Sequence, residues 1–460
     1  MSLARGAAAL VALAALVIAA LPGWLGIRPD LGAPAAVVVL AIGLWASAAL
    51  EAHITALIVF VVVTWLGIAP PEVIFAGFAT PGLWLVFGGL VIAAAIEVTG
   101  LGARAARLIA GGLGGSYRRI IYGTVLVCLV LSFLVPAAMG RIVILLPIFL
   151  ALAPSMGFEP GSRGSQGILL AVTFGTFLPA LAILPANLPN MVLLGTMETL
   201  YGQGISWFAY FVMHFPVLGL LKAVLIAEVL SRMFQEAPAH GATAREEPAA
   251  SAWSPAERRL ALILGGALLL WASDGLHGVS PGWVALLAGL LCLLPGTGVV
   301  GRETFERQIN FGSFFYVAGL LGVARLIDAS GLGDALGRLL LERLPLDQAA
   351  PLASFAAIMG LNVVTSLLTA LAAMPAVLTP LAGPIAEQSG LPLQTVLMTQ
   401  VIGFSTMLLP YQSAPIMVAL ALARVPLAAG ARAGLLIGLL TIVVLVPLQA
   451  LWWRLLGYLP

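Results

Sequence analysis

The sequence predicts an all-α polytopic membrane protein of about 11 transmembrane helices and two re-entrant hairpins, built as an inverted repeat. Composition is the first reason: 61% of the 460 residues are hydrophobic, 9% are charged, and the mean hydropathy is +1.10. A soluble globule needs about a quarter of its residues charged to cover its surface. The second reason is pattern, since the apolar runs are long and unalternating, whereas a barrel shows segments of about ten residues with period two. The third is that motifs recur on either side of a central polar linker. A soluble enzyme, a nucleic-acid binder and a disordered scaffold are thereby excluded. With 21 Lys+Arg against 19 Asp+Glu the net charge of +2 implies no acidic partner, and Lys222 is the only lysine. Cys128 and Cys292 stand alone in apolar runs, so neither a disulfide framework nor a CxxC metal site is on offer.

Residues 1–31 read as an extra N-terminal transmembrane helix. The run from Ala7 to Leu21 leads into Pro22, Gly23 and Trp24 rather than into the cleavage site of a signal peptide. Spans of about 17 to 25 apolar residues between charges or Gly/Pro clusters are expected at residues 7–27, 32–50, 54–70, 81–101, 167–196, 207–231, 258–274, 281–296, 313–332, 395–423 and 430–457. The stretch from Ile120 to Pro154, about 35 residues, would make over 50 Å of helix for a core of about 30 Å, so it reads as a hairpin of two half-length arms near residues 120–154. Ala349 to Ala386, punctuated by Pro375, Pro380 and Pro384, reads as a second hairpin near 349–386. Residues 235–257, rich in Ala, Glu, Pro and Ser, read as a solvated cytoplasmic linker.

Leu44-Trp45-Ala46-Ser47 recurs as Leu270-Trp271-Ala272-Ser273, 226 residues on, and Glu97 to Gly102 matches Asp328 to Gly333 at 231. Pro147 pairs with Pro375 at 228, and Leu184-Pro185 followed by Pro189 matches Leu409-Pro410 followed by Pro415 at 225 and 226. Four matches in one order at nearly one offset mark an internal repeat of residues 32–234 and 258–460. Basic residues favour the cytoplasmic side. With the N-terminus inside, fourteen arginines fall inside and four, Arg28, Arg338, Arg343 and Arg454, outside. That puts the first hairpin on the inward side, the second on the outward side and the C-terminus outside, the layout of secondary transporters in an inner membrane.

The residues resemble the divalent anion/sodium symporter family of the ion transporter superfamily from about residue 32 onward. Phe75 to Trp84 followed by Glu97 to Gly102, Trp45 with Thr55-Ala56-Leu57, and the ending Leu451 to Gly457 carry the resemblance. It implies an elevator-type transporter, with a hairpin-bearing transport domain moving against a dimerising scaffold. Departures are visible: the family's usual Glu is Ala48 here and its usual Pro is Glu51. Its Ser-Asn-Thr hairpin tips, ten residues ahead of a proline, are Ala137-Ala138-Met139 and Thr365-Ser366-Leu367 here. The resemblance thus implies the fold and a small-anion substrate, dicarboxylate or other, and leaves the coupling ion, sodium or proton, and any metal ligands open.

A helix broken at mid-membrane exposes N–H and C=O groups that lipid cannot satisfy, so breaks mark protein-walled sites. Their N-termini suit anions and their carbonyls suit cations. The candidate substrate residues at the breaks and tips are Arg141, Asn187, Asn190, Thr365, Ser366, Thr369, Gln412 and Ser413. Arg141 stands out, because a charge at membrane depth costs roughly 2.5 to 3.5 kcal/mol on insertion scales and must be paired, snorkelling or lining water. It would either hold a carboxylate, sulfonate or phosphate bidentately in place of a sodium ion or pair with an acid such as Glu97. Glu97 and Asp328, at matched positions, read as interfacial caps or gates. His53, His214, His240 and His277 are scattered and form no ligand cluster, and Gly111 to Gly115 lacks the βαβ unit of a phosphate loop.

The function expected is secondary active transport of a small anion by a homodimer in the bilayer, with no catalytic residues, no cofactor and no nucleic-acid partner. A cation/proton antiporter would want carboxylates at the breaks, which carry none. A membrane-embedded enzyme would need a Ser/His/Asp or metal-ligand cluster at one depth.

Overall fold

A computed structural model describes residues 2–25, 28–47, 49–110, 116–238 and 252–460. Among them every regular element is helical. The first half runs α1 (Ser2–Ala20), α2 (Gly32–Ser47), α3 (Ala52–Trp65), α4 (Pro71–Ile74), α5 (Pro81–Thr99), α6 (Leu101–Ala110), α7 (Tyr117–Leu134), α8 (Ala138–Ser155), α9 (Arg163–Phe177), α10 (Leu188–Tyr201), α11 (Trp207–His214) and α12 (Lys222–Met233). The second runs α13 (Pro255–Ala272), α14 (Asp274–His277), α15 (Pro281–Leu293), α16 (Arg302–Gln308), α17 (Phe311–Ala329), α18 (Leu332–Leu341), α19 (Pro351–Leu368), α20 (Met374–Leu378), α21 (Ala382–Ser389), α22 (Leu393–Ser405), α23 (Ala414–Leu422), α24 (Leu427–Leu440) and α25 (Val446–Leu455).

Among the described residues nine helical runs are long and apolar enough to cross a membrane, and four shorter apolar helices accompany them. Local chemistry sets their ends. Proline follows a hydroxyl residue at the starts of α5, α13 and α15 (Thr80-Pro81, Ser254-Pro255, Ser280-Pro281), where its missing N–H is one the helix would not use. Ser254 and Glu257 form a capping box, so α13 begins at Pro255 and the linker ends earlier than its charges suggested. Residues 239–251 of that linker, Ala48 and Gly111 to Gly115 lie outside the described residues. Pro22 stops α1 at Ala20, and the helix begins at Ser2 rather than near residue 7.

The two stretches too long for one helix each divide in two. α7 and α8 have 18 residues apiece, about 27 Å at 1.5 Å per residue, so these arms are of full membrane length rather than half. Val135 to Ala137 form the tip between them. In the second stretch α19 has 18 residues, and its returning arm is interrupted by a 3-10 turn at Thr379–Leu381 around Pro380 and ends at Ser389. The spans expected near 167–196 and 395–423 are both broken, into α9/α10 and α22/α23. α11 passes into α12 through a π-helical segment, Phe215–Leu221, and α24 into α25 through another, Thr441–Leu445. Pro216 and Pro447, which have no N–H to give, sit beside these wide turns.

Packing repeats with the motifs. α5 packs on α15 and α17 on α3, each helix against one from the other half. A side chain on Gly88 would come within 2.2 Å of Ala285 O, and one on Gly319 within 2.5 Å of the Ala56 Cβ. Gly88 and Gly319 are 231 positions apart, Ala56 and Ala285 229, so the two crossings are the same contact made twice. Gly100 and Gly331 both end their helices at φ 75° and turn the chain into α6 and α18, short amphipathic helices that the hydropathy reading had not separated.

Candidate functional site

In the interior each helix break is tied to the tip beside it, the first through Arg141 and the second through Gln412. The last turn of α9 leaves carbonyls without helical donors. Asn187, in extended backbone just before α10, donates its Nδ2 to Phe177 O at 3.0 Å and closes one of them. Arg141 closes another. From the first turn of α8 its guanidinium reaches back over the tip, and Nη1 donates to Val135 O at 2.5 Å and Ala186 O at 2.9 Å. Nη2 donates to Thr176 O at 3.0 Å and Asn187 Oδ1 at 3.1 Å. The side chain is 0% exposed, and only its Nε–H has no partner.

This settles the geometry of Arg141 differently from the sequence expectation. Glu97 is exposed and far from playing its partner. Nor is the guanidinium a free fork, because all four terminal N–H groups already point at protein oxygens. It is a cation in a cage of three backbone carbonyls and one amide oxygen, the ligand set that unwound helix ends offer a bound metal ion.

The second break is tied to its tip by Gln412. Its Nε2 donates to Ser366 O at 2.8 Å and Ser366 Oγ at 3.2 Å, and its Oε1 accepts from Leu408 N at 2.9 Å and Leu409 N at 2.7 Å. Tyr411 Oη donates to Leu367 O at 2.8 Å. Thr369 N and Oγ1 both donate to Thr365 O, which ends α19. Asn187 and Gln412, 225 positions apart, therefore do the same work in the two halves. Asn190 Nδ2 donates to Ile183 O at 2.8 Å, whereas Asn190 Oδ1 and Ser413 Oγ are buried without partners in the first turn of α10 and at the start of α23. A cavity of about 10 Å³, room for about one water, lies where Pro136 and Pro185 meet Ile92 of α5 and Leu264, Leu268 and Trp271 of α13.

Two residues of this region escaped the sequence reading. Lys222 is 0% exposed and donates from Nζ to Ser405 O, the last carbonyl of α22. Thr176 and Ser405 are 229 positions apart, so each broken helix ends on a buried cationic side chain from another element. A lone lysine inside a span is a signal in itself, since charges at membrane depth are costly. Glu198, near the end of α10, is the other; it accepts from Gly82 N at 2.7 Å. Asp328 pairs with Arg325 at 2.6 Å on the surface. Among the described residues no three His, Cys, Asp or Glu side chains come together as metal ligands.

The family described as "sodium:sulfate symporter transmembrane region" matches residues 4–459. A membrane protein of Cupriavidus necator is 29% identical over 394 residues, covering 83% of this chain and 76% of that protein. The L-tartrate/succinate antiporter of Escherichia coli strain K12 is 25% identical over 399 residues, covering 82% and 79%. Among solved structures, the YdaH transporter of Alcanivorax borkumensis has the same fold at a TM-score of 0.55, 15% identity and coverage of 86% of this chain and 89% of that one. A match over nearly the whole length, onto a polytopic helical fold with two broken helices, establishes that this chain belongs to the sodium:sulfate symporter family of secondary anion transporters.

Proposed function

We propose that the chain carries small dianions by exchange, with the Arg141 guanidinium as a built-in cation in place of a co-transported one. The observation that carries this is the four-oxygen cage around Arg141, which spans the first tip and the first break. A fixed charge there supplies the positive potential that a bound sodium ion would supply and cannot leave the site. Lys222 at the second break adds another. A substrate unit holding two desolvated cations crosses the membrane interior far more easily when an anion neutralises them, so its empty return is slow and exchange is favoured over net uptake. The antiporter named for L-tartrate and succinate, two dicarboxylates, supports the same reading.

The anion would lie on the N-termini of α10 and α23, whose N–H groups and dipoles favour negative charge. Asn190 and Ser413, with buried polar atoms to spare, are its side-chain contacts. Asn187, Ser366, Thr369 and Gln412 shape the walls, with Thr365 behind them. The halves 32–234 and 258–460 are read as inverted, with inward and outward hairpins, an elevator-like movement of the broken-helix unit, a homodimer, an inner-membrane location, N-terminus inside and C-terminus outside. A cation/proton antiporter is not favoured, because the breaks hold cations and no carboxylate. The test uses purified protein in liposomes. Labelled succinate should enter vesicles preloaded with unlabelled succinate, in sodium-free buffer, and enter unloaded vesicles much more slowly. Uptake that needs a sodium gradient and ignores preloading would overturn the proposal.

A further inference from the structure

Two carboxylates join the broken-helix unit to its neighbours at one end of the molecule. Glu198 in α10 accepts from Gly82 N at 2.7 Å, in the first turn of α5, and from Ser280 Oγ at 3.4 Å, the cap of α15. Asp274, 2% exposed at the start of α14, accepts from Trp207 N, the first residue of α11, and its other oxygen is buried without a partner. The chain joining α10 to α11 is thus gripped from both ends by the segment from Asp274 to Ser280. Backbones close in around the grip: a side chain on Gly82 would come within 2.4 Å of Gly195 Cα, and one on Gly282 within 2.1 Å of Pro81 O.

Among the described residues the other end of the molecule shows no counterpart. At the repeat offsets of 225 and 226, Glu198 corresponds to Ala423 or Arg424 and Asp274 to Ala48. An internal repeat would be expected to hold both ends alike, so a clasp on one end biases the molecule toward one of its two arrangements.

We propose that Glu198, with Asp274 gripping the same connection, forms a proton-released clasp that holds α9 to α12 against α5, α14 and α15. Ionised, Glu198 makes a charge-assisted bond to the Gly82 N–H at a helix start, where the dipole also favours a negative charge. Protonated, Glu198 loses that advantage, and the unit is freed toward its other position. The surroundings add little charge of their own. α5 carries only Glu97, at its far end; α15 carries none; α11 carries only His214, two turns in; and the charges of α13, Glu257, Arg258 and Arg259, are at its other end. On α17 the Arg325–Asp328 pair neutralises itself, and Asp334 follows on α18. On α14, His277 has both ring nitrogens engaged, by Val279 N and Leu270 O. Tyr201 on α10 donates to Thr379 O and accepts from Gly383 N.

The clasp rests on the reading that this unit moves during transport, and it is tested without substrate. Nitroxide labels at Gln203→Cys and Val279→Cys, both exposed positions, report the distance across the clasp, with Cys128 and Cys292 replaced by alanine. At about pH 7.5 one short distance is expected, and at about pH 5 a second, longer population, with about a tenfold rise in the long-to-short ratio. Glu198→Gln should show the long population at both pH values. A distribution that ignores pH in the native carboxylate background overturns the proposal, and so does an acid-induced shift that survives unchanged in Glu198→Gln. Succinate exchange on the same preparations separates the two readings: a clasp that opens without exchange leaves the clasp standing and sinks the transport reading, and exchange with no change in distance does the reverse.

Discussion

Removing Arg141 tests the cage directly. Arg141→Ala strips donors from four buried oxygens, Val135 O, Ala186 O, Thr176 O and Asn187 Oδ1. Each buried acceptor left unpaired costs about 1 to 3 kcal/mol. The guanidinium no longer has to be desolvated, which returns several kcal/mol, so the net loss expected is on the order of a few kcal/mol. The readout is apparent melting of the detergent-solubilised protein by size-exclusion, together with uptake in liposomes. The variant should melt well below the native protein and lose sodium-free succinate exchange. Because the cage it leaves behind is an oxygen ligand set, sodium should restore part of the exchange that the native protein performs without it. Arg141→Lys keeps a charge but has three donors on one nitrogen with a shorter reach, so it should fall between the two. Melting equal to native and undiminished sodium-free exchange by Arg141→Ala would refute the reasoning.

Ser413→Ala should reduce exchange several-fold while leaving melting nearly unchanged, because its Oγ has no protein partner, whereas Asn190→Ala should reduce exchange and also cost about 1 to 3 kcal/mol of stability through the lost bond from Asn190 Nδ2 to Ile183 O; normal exchange by both at matched protein amounts places the substrate elsewhere. Gly88→Val should yield little monodisperse protein, since its Cβ would press on Ala285 O at 2.2 Å, whereas Gly265→Ala, with nothing within 4 Å, should behave as native in the same size-exclusion profile. Reporter fusions at Ala249 and Pro460 should fall on opposite sides of the membrane, the first inside; the same side for both would remove the inverted relation of the halves.

The sequence alone determined the class of molecule, because lipid admits only helices and closed barrels and the long apolar runs lack the period-two alternation of a barrel. The spans lie within a few residues of where hydropathy put them, and the breaks at Pro185 and Pro410 were visible as matched prolines. The repeat was legible too, since the same crossing made twice selects the same small residues, as at Gly88 and Gly319. What hydropathy could not resolve was the full length of α7, α8 and α19 and the short helices α6 and α18, whose residues alternate around a helix rather than forming an apolar run. The partners of the charged groups were also beyond it. Arg141 was marked as exceptional by its place in an apolar arm, but whether it would face an acid, an anion or carbonyls depends on groups 35 to 46 positions away in the chain. Lys222 and Ser405 are 183 positions apart, and Glu198 and Gly82 116. Backbone carbonyls carry no residue signature, so a cation held by them leaves no motif in the sequence; only the packing of α8 and α12 against the broken helices brings those oxygens and the charges together.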